Sequence, residues 1–133
     1  MTSKVTYIGN LRAESTHIKS NNSFITDAPL DNNGKGEAFS PTDTVATGFA
    51  SCMLTVMGIK ARDMDVDMSG TTAEVTKTMA SEPRRISKIE IVIHFPFETN
   101  VKTRKILEHT AKTCPVHYSL HPEIEKDIRF NWQ

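Results

Sequence analysis

The sequence predicts an α+β domain whose elements follow the order β-β-β-α-β-β-α-β, with an antiparallel sheet and one long, buried central helix. Three observations indicate this class. The chain of 133 residues begins with short segments of alternating polarity, continues with an apolar segment of helical length, and then carries a run of alternating isoleucines. Its length is typical of one domain, so residues 1–133 are expected to form a single domain.

The first three elements are predicted to be short strands. One ends at the turn signal Gly9-Asn10, the second extends from Arg12 to Lys19, and the third comprises Ser23 to Thr26. The segment from Asp27 to Pro41 is rich in Asp, Asn, Gly and Pro and is predicted to be a loop. Loops of about fifteen residues in compact domains are usually functional or disordered.

The central helix is predicted to open at Ser40 and to run to about Arg62. Ser40 suits the N-cap, Pro41 suits the first helical position, and Asp43 suits the positive end of the helix dipole. Apolar residues cover nearly all sides of this helix, which is typical of a helix buried within a domain or an oligomer.

The second half of the chain predicts two strands, a helix and a final strand. Thr71 to Met79 and Ile86 to Phe95 are the two strands, and the isoleucines of the second alternate as on a strand with one buried face. A helix from Asn100 to Thr113 ends before a proline, after which Val116 to Leu120 can resume as a short helix. Glu123 to Trp132 closes the domain as a strand.

The composition argues against several classes of function. Lys and Arg number 16 and Asp and Glu number 16, so the net charge is zero, which argues against nucleic-acid binding and against a polybasic membrane anchor. The N-terminus lacks the apolar stretch of a signal peptide. The most apolar window, Thr44 to Ile59, is shorter than the roughly 20 residues that span a bilayer. We therefore expect a cytoplasmic protein without a membrane segment, in which a permanent structural disulfide is unusual.

The two cysteines carry the candidate chemistry. Cys52 lies in the middle of the helix, where it is either a small hydrophobic core residue or a nucleophile whose thiolate needs a cation from another segment. Cys114 begins the sequence Cys-Pro-Val-His, where a helix N-terminus would stabilise a thiolate and His117 can face the same way. The alternative for this pair is a helix-ending cysteine and an exposed histidine.

Other chemistries stay open on the residues alone. A zinc site would need Cys52, Cys114, His117 and His121, but no Cys-x-x-Cys pair supports it, and no metal is expected. A Cys-His hydrolase built on Cys52 is compatible with the spacing. The sequence has no nucleophile elbow, no phosphate-binding glycine loop and no His-Glu-x-x-His motif.

Nearly the whole chain resembles the OsmC/Ohr family, the osmotically inducible protein C and organic hydroperoxide resistance proteins. The motifs that carry the resemblance are Ser40-Pro41-Thr42-Asp43, Gly48-Phe49-Ala50-Ser51-Cys52-Met53, Thr113-Cys114-Pro115-Val116-His117 and the loop from Asp31 to Glu37. The separation of the two cysteines is also close to that of the family.

The resemblance implies an OsmC-like fold, an intertwined homodimer, and a thiol-dependent peroxidase that reduces small organic hydroperoxides. By this resemblance Cys52 is the peroxidatic cysteine, which becomes a sulfenic acid, and Cys114 is the resolving cysteine, which condenses with it to a disulfide. Arg12, the only arginine before Cys52, is then the residue that faces the thiolate. No bound cofactor is expected, and an external dithiol of the lipoyl type, such as a lipoylated protein, restores both thiols.

The sequence departs from the family pattern at one acidic position. The family's glutamate ten residues before the first cysteine is replaced here by Thr42. Asp43 and Glu37 are therefore the candidate acids beside Arg12, and His117 is a further candidate for a supporting role.

The apolar surroundings of the first cysteine are expected to form the substrate pocket, lined by Gly48, Phe49 and Met53. The alternative function for the same scaffold is non-catalytic: binding of a small apolar ligand, or redox sensing through the same two thiols.

Overall fold

The computed structural model describes all 133 residues and confirms the α+β class. The strands are β1 Ser3–Gly9, β2 Arg12–His17, β3 Ser23–Asp27, β4 Thr72–Ala80, β5 Arg85–Phe95 and β6 Glu125–Trp132. The helices are α1 Pro41–Asp63, α2 Val101–Ala111 and α3 Pro115–Ser119. The predicted order of elements, including the short helix after the proline, is confirmed.

The chain forms two compact units, residues 1–45 (the N-terminal unit) and residues 46–133 (the C-terminal unit). The boundary between them falls inside α1. The single-domain organisation that the chain length suggests stays a prediction.

The N-terminal unit is built on an antiparallel sheet of β1, β2 and β3 in that order. The loop after β3 is ordered and contains a short 3₁₀ turn, Leu30–Asn32. In the whole N-terminal unit only three residues are buried, and all three are polar: Thr26, Asp27 and Ser40. The unit thus has a sheet but no apolar core within the single chain.

The C-terminal unit contains the hydrophobic core. Its sheet has the order β4-β5-β6, with β5 in the centre. The predicted alternation along β5 is confirmed, because Ile89, Ile91 and Ile93 are all fully buried. They belong to one core cluster with residues of α1 and α2, such as Met53, Met57 and Leu107.

The direction of β6 differs from the predicted antiparallel sheet. β4 pairs with β5 in antiparallel fashion, whereas β5 pairs with β6 in parallel, with Ile91 opposite Ile128. The segment between β5 and β6 contains α2 and α3, and such a helical crossover returns the chain to the same end of the sheet. The C-terminal sheet is therefore mixed.

Helix α1 begins as predicted but is less buried than predicted. Ser40 Oγ accepts the backbone N–H of Asp43 at 3.1 Å, and Asp43 Oδ2 accepts the backbone N–H of Ser40 at 2.9 Å, which forms a reciprocal cap. The apolar residues form one buried face of the helix, but the opposite face is exposed in the single chain, including Val45 and Ile59. The single chain therefore buries only one face of α1, and burial of the other face within an oligomer stays a prediction.

The helix also extends beyond the apolar window seen in the sequence. Its 23 residues and a mean hydropathy of 1.3 match a membrane span by length and composition only, with 33% of that window buried inside the protein. Core helices of soluble proteins meet the same criterion. The expectation of no membrane segment stays a prediction.

Two further helix caps fix the segment that contains Cys114. Asn100 caps α2 as predicted, since its Oδ1 accepts the backbone N–H of Thr103 at 2.8 Å. Cys114 is the N-cap of α3, and Pro115 occupies the first turn of that helix. The proline therefore starts a new helix as well as ending the previous one.

Candidate functional site

The two cysteine side chains meet within the C-terminal unit. Cys52 projects from the middle of α1 and is partly exposed, and Cys114 lies at the start of α3 and is fully buried. Both are free thiols, and they lie close enough for Cys52 to raise the pKa of the Cys114 thiol. Two residues far apart in sequence are thus brought close together by α1 and by the α2–α3 junction.

The surroundings of Cys114 favour its protonated form. Burial raises the pKa of the Cys114 thiol above its usual range, and the hydrogen bond and charge of Cys52 add to that rise. The backbone N–H of His117, which points at Cys114 Sγ from 3.3 Å, lowers the pKa and only partly offsets the burial. At neutral pH Cys114 is therefore an S–H group that can donate a hydrogen bond to its neighbour.

His117 lies beside this pair and stays neutral at neutral pH. Burial lowers the pKa of its imidazole, and the positive charges of Lys126 and Lys112 lower it further, against an opposing backbone hydrogen bond. The ring packs edge-on against Phe49, with ring centroids 5.9 Å apart. His117 thus connects α3 to α1 one helical turn before Cys52.

Arg12 belongs to a second cluster, in the N-terminal unit. It lies on β2, and its Nη2 donates to Glu37 Oε2 at 3.0 Å and to Asp27 Oδ2 at 3.4 Å. Glu37 was one of the two acids suggested by the sequence, and it does contact Arg12. Asp43, the other acid, contributes to the reciprocal cap of α1.

Asp27 is the residue that the sequence interpretation missed. It was assigned to the start of a loop, but it is the last residue of β3 and lies directly across the sheet from Arg12. The available signal was the hairpin register: folding β3 back on β2 around the His17–Asn22 turn places residues 12 and 27 opposite each other.

The three residues expected to line a substrate pocket all lie on α1 but differ in burial. Phe49 and Met53 are fully buried members of the core. Gly48 lies on the exposed side of α1, where an added Cβ would meet nothing within 4 Å. Phe49 contacts the ring of His117, whose backbone N–H donates to Cys114 Sγ.

No group of three or more His, Cys, Asp or Glu side chains is placed to hold a metal ion. His121, which the zinc alternative required, instead accepts the backbone N–H of Glu123 on Nδ1 at 3.1 Å.

Comparison with known proteins identifies relatives of the whole chain. The family model described as OsmC-like protein matches residues 34–129. A solved structure from Psychrobacter arcticus, described as an osmotic stress induced and detoxification response protein, is 60% identical, with a TM-score of 0.96 over 98% of this chain and 96% of that one. A comparison with curated protein sequences gives no significant match.

Two more distant structures share the fold. An organic hydroperoxide resistance protein OsmC from Legionella pneumophila has a TM-score of 0.76 at 12% identity, over 98% of this chain and 97% of that one. A protein of Vibrio cholerae described as an organic hydroperoxide resistance protein, with captopril bound in one of its active sites, has a TM-score of 0.75 at 16% identity, over 98% of this chain and 92% of that one. At these identities the likeness shows the fold alone.

Proposed function

The chain belongs to the OsmC-like protein family, and from this premise we propose that it is a thiol-dependent peroxidase that reduces small organic hydroperoxides. The observation that carries the proposal is the proximity of two free cysteines, Cys52 and Cys114, which lie 62 positions apart in the sequence. Two neighbouring free thiols, one partly exposed and one buried, are suited to attack and to resolution respectively.

Cys52 is the attacking residue in this proposal, because it is the more exposed of the two. Its thiolate attacks one oxygen of the hydroperoxide, a S–O bond forms, and the O–O bond breaks. The sulfur is oxidised to a sulfenic acid, and the leaving alkoxide takes a proton and departs as the alcohol.

Cys114 resolves this intermediate. Its sulfur attacks the sulfenic sulfur of Cys52, a disulfide forms, and water leaves with the Cys114 proton. Burial, which raises the pKa of Cys114, keeps this thiol protonated until the sulfenic acid is present. It also protects Cys114 from direct attack by peroxide, since the thiolate is the reactive form.

Arg12 supplies the cation in this proposal, from a second copy of the chain. A guanidinium can stabilise a thiolate and orient a peroxide oxygen with charge-assisted hydrogen bonds. A homodimer is supported by the N-terminal sheet, which exposes a set of large apolar residues: Val5, Tyr7, Ile8, Leu11, Ile18 and Phe24. An apolar surface of this kind marks an interface.

The C-terminal unit also has surface suited to that dimer. The outer face of α1 and strand β4 border a shallow groove of about 430 Å³, whose lining includes Thr47, Leu54 and Val75.

The disulfide formed in each cycle needs two electrons from outside, and we propose a dithiol of the lipoyl type as their source.

The proposal is tested by mass spectrometry after one equivalent of cumene hydroperoxide. We expect the wild-type chain to lose two hydrogens and to yield a Cys52–Cys114 peptide pair. Cys114→Ser should stop at the sulfenic acid of Cys52, which dimedone traps. If both thiols stay free while the peroxide persists, the chain is not a peroxidase.

A non-catalytic redox sensor would use the same two thiols, so turnover separates it from an enzyme. With dihydrolipoamide in excess, a peroxidase consumes many equivalents of peroxide per chain. A sensor would form the disulfide and then stop. Hydrolysis of an ester that survives Cys114→Ser and is lost in Cys52→Ser would instead identify a hydrolase.

A further inference from the structure

Asp27 is the only charged side chain that is fully buried, with 1% of its surface exposed. Burial of a carboxylate costs on the order of several kcal/mol in lost hydration free energy unless hydrogen-bond partners replace the water. A buried carboxylate at the end of an otherwise exposed sheet therefore needs a specific reason, and its contacts supply one.

The partners of Asp27 hold it in a single position. Its Oδ2 accepts the backbone N–H of Glu37 at 3.0 Å and the Nη2 of Arg12 at 3.4 Å. Its own backbone N–H donates to the carbonyl oxygen of Phe39 at 2.9 Å. The carboxylate is thus fixed by β3 and by the returning end of the loop, before it contacts the arginine.

Glu37 contacts Arg12 at a shorter distance but is a weaker anchor. Its side chain is 60% exposed, against 1% for Asp27. Exposed ion pairs are screened by water and salt, and they contribute only about 0–1 kcal/mol. The position of the guanidinium is therefore determined mainly by Asp27.

Both carboxylates bind the same nitrogen of Arg12, Nη2. A guanidinium has five N–H groups on three nitrogens. The N–H groups of Nε and Nη1 make no bond to either acid, so they are left to bind another anion. This is the arrangement expected of an arginine that is held by one nitrogen and used through the other two.

We infer that Asp27 is the positioning residue of the active site, holding Arg12 by Nη2 so that the N–H groups of its other two nitrogens serve the thiolate and the peroxide. This inference rests on the proposed function, because it assigns a task within the peroxidase site. Asp27 itself touches neither the thiols nor the substrate in this role; it acts through Arg12.

The first test is a double-mutant cycle on the second-order rate constant for cumene hydroperoxide. Asp27→Asn alone should lower this constant roughly 10- to 100-fold, the size of effect that a small misplacement of a catalytic group produces. In an Arg12→Ala background, Asp27→Asn should change it less than about threefold, because the residue it positions is gone. An equal loss in both backgrounds would show a merely structural role and overturn the inference.

A second readout is chemical rescue with millimolar ethylguanidinium. Added to Arg12→Ala, this cation should occupy the vacated place beside Asp27 and restore a measurable part of the rate. It should fail to do so in the double variant Arg12→Ala/Asp27→Asn. Equal rescue in both variants would contradict the inference, because a loop-supporting role has no reason to discriminate between them.

The matched control is Asp127→Asn. This residue also pairs with an arginine, Arg129, at 2.9 Å, but on the exposed surface of the C-terminal unit. The rate should change less than about twofold, as for most exposed pairs. A loss equal to that of Asp27→Asn would mean that any broken Asp–Arg pair lowers the rate.

Arg12→Lys keeps the test decisive if Asp27→Asn does not fold. A lysine has a single nitrogen, so its charge is held where the two acids bind, and no other nitrogen can extend toward the thiolate. Its rate should fall to that of Arg12→Ala, and a wild-type rate would overturn the inference.

Alkylation of Cys52 by iodoacetamide separates this inference from the proposed function. The double-mutant cycle of positions 12 and 27 can also be measured on the rate of alkylation at a fixed pH, and this assay needs no peroxidase activity. Coupling between positions 12 and 27 in alkylation, without any peroxide reduction, would reject the peroxidase and retain the positioning role. Peroxide reduction without coupling in either assay would retain the peroxidase and reject the positioning role of Asp27.

Discussion

The two units of the chain differ in how many apolar residues they bury. The C-terminal unit covers one face of its sheet with α1 and α2 and buries thirteen apolar residues, from Ala46 to Cys114, in one cluster. The N-terminal unit buries only Thr26, Asp27 and Ser40, and leaves aromatic residues such as Tyr7 and Phe24 more than half exposed.

This difference indicates a division of tasks. A three-stranded sheet without an apolar core is marginal by itself, so the N-terminal unit needs a covering partner. Its one buried charge is held by backbone and arginine contacts, whereas the buried thiol of the C-terminal unit is surrounded by apolar side chains. One unit presents a cation and the other presents a pair of sulfurs.

The largest expected effect tests the core of the C-terminal unit. Ile91→Ala removes a fully buried side chain from β5 and should lower the free energy of unfolding by about 2–5 kcal/mol. Urea denaturation followed by circular dichroism measures this loss. The control is Val5→Ala, which removes an apolar side chain that is 63% exposed and should cost less than about 0.5 kcal/mol at low protein concentration. Equal losses would mean that the two units do not differ in packing.

The second prediction tests what covers the N-terminal sheet. Phe24→Asp places a charge on a residue that is 51% exposed in the single chain. If a second copy covers it, self-association should weaken at least about tenfold, since aromatic residues contribute strongly to interfaces. Sedimentation equilibrium of the variant and of Phe24→Leu, which keeps an apolar side chain, makes the comparison. A wild-type association constant in Phe24→Asp would exclude this face from the interface.

Local patterns predicted much of the C-terminal unit. The buried face of β5 follows from the alternation of Ile89, Ile91 and Ile93, which is a property of neighbouring residues alone. The caps at Ser40 and Asn100 are local in the same way, because each involves a bond to a residue three positions ahead.

Features that depend on distant residues were not predicted. The parallel direction of β6 depends on how α2 and α3 cross the sheet, which no local pattern records. The burial of Asp27 depends on Arg12 and on the return of the loop at Glu37. One face of α1 is exposed in the single chain and carries Val45 and Ile59 among small and polar residues, and only packing decides which apolar residues a single chain can bury.

The third prediction concerns the cap of α2, the helix that leads to Cys114. Asn100→Ala removes the acceptor of the Thr103 N–H and should lower the free energy of unfolding by about 1 kcal/mol. Asn100→Asp keeps an acceptor and should restore most of that loss. Thermal melts of both variants measure the effect. If both lose equally, the amide of Asn100 stabilises the helix by some contact other than the cap.

The smallest expected effect is a pH dependence that belongs to the C-terminal unit alone. Burial raises the pKa of Cys114 in the folded chain, whereas in the unfolded chain the thiol ionises near pH 8.5, roughly its ordinary value. Above that pH the folded state binds more protons than the unfolded state, so the free energy of unfolding falls as the pH rises toward the raised pKa.

Urea midpoints at pH 7.5 and pH 9.5 measure this fall, and Cys114→Ala serves as the reference because it removes the titrating group while keeping a small apolar side chain. Other groups also titrate in this range, but they are common to both chains and cancel in the difference. We expect the wild-type midpoint to drop by more than the variant midpoint. An equal drop would mean that Cys114 ionises as easily when folded as when unfolded, and it could not then be the protonated resolving thiol.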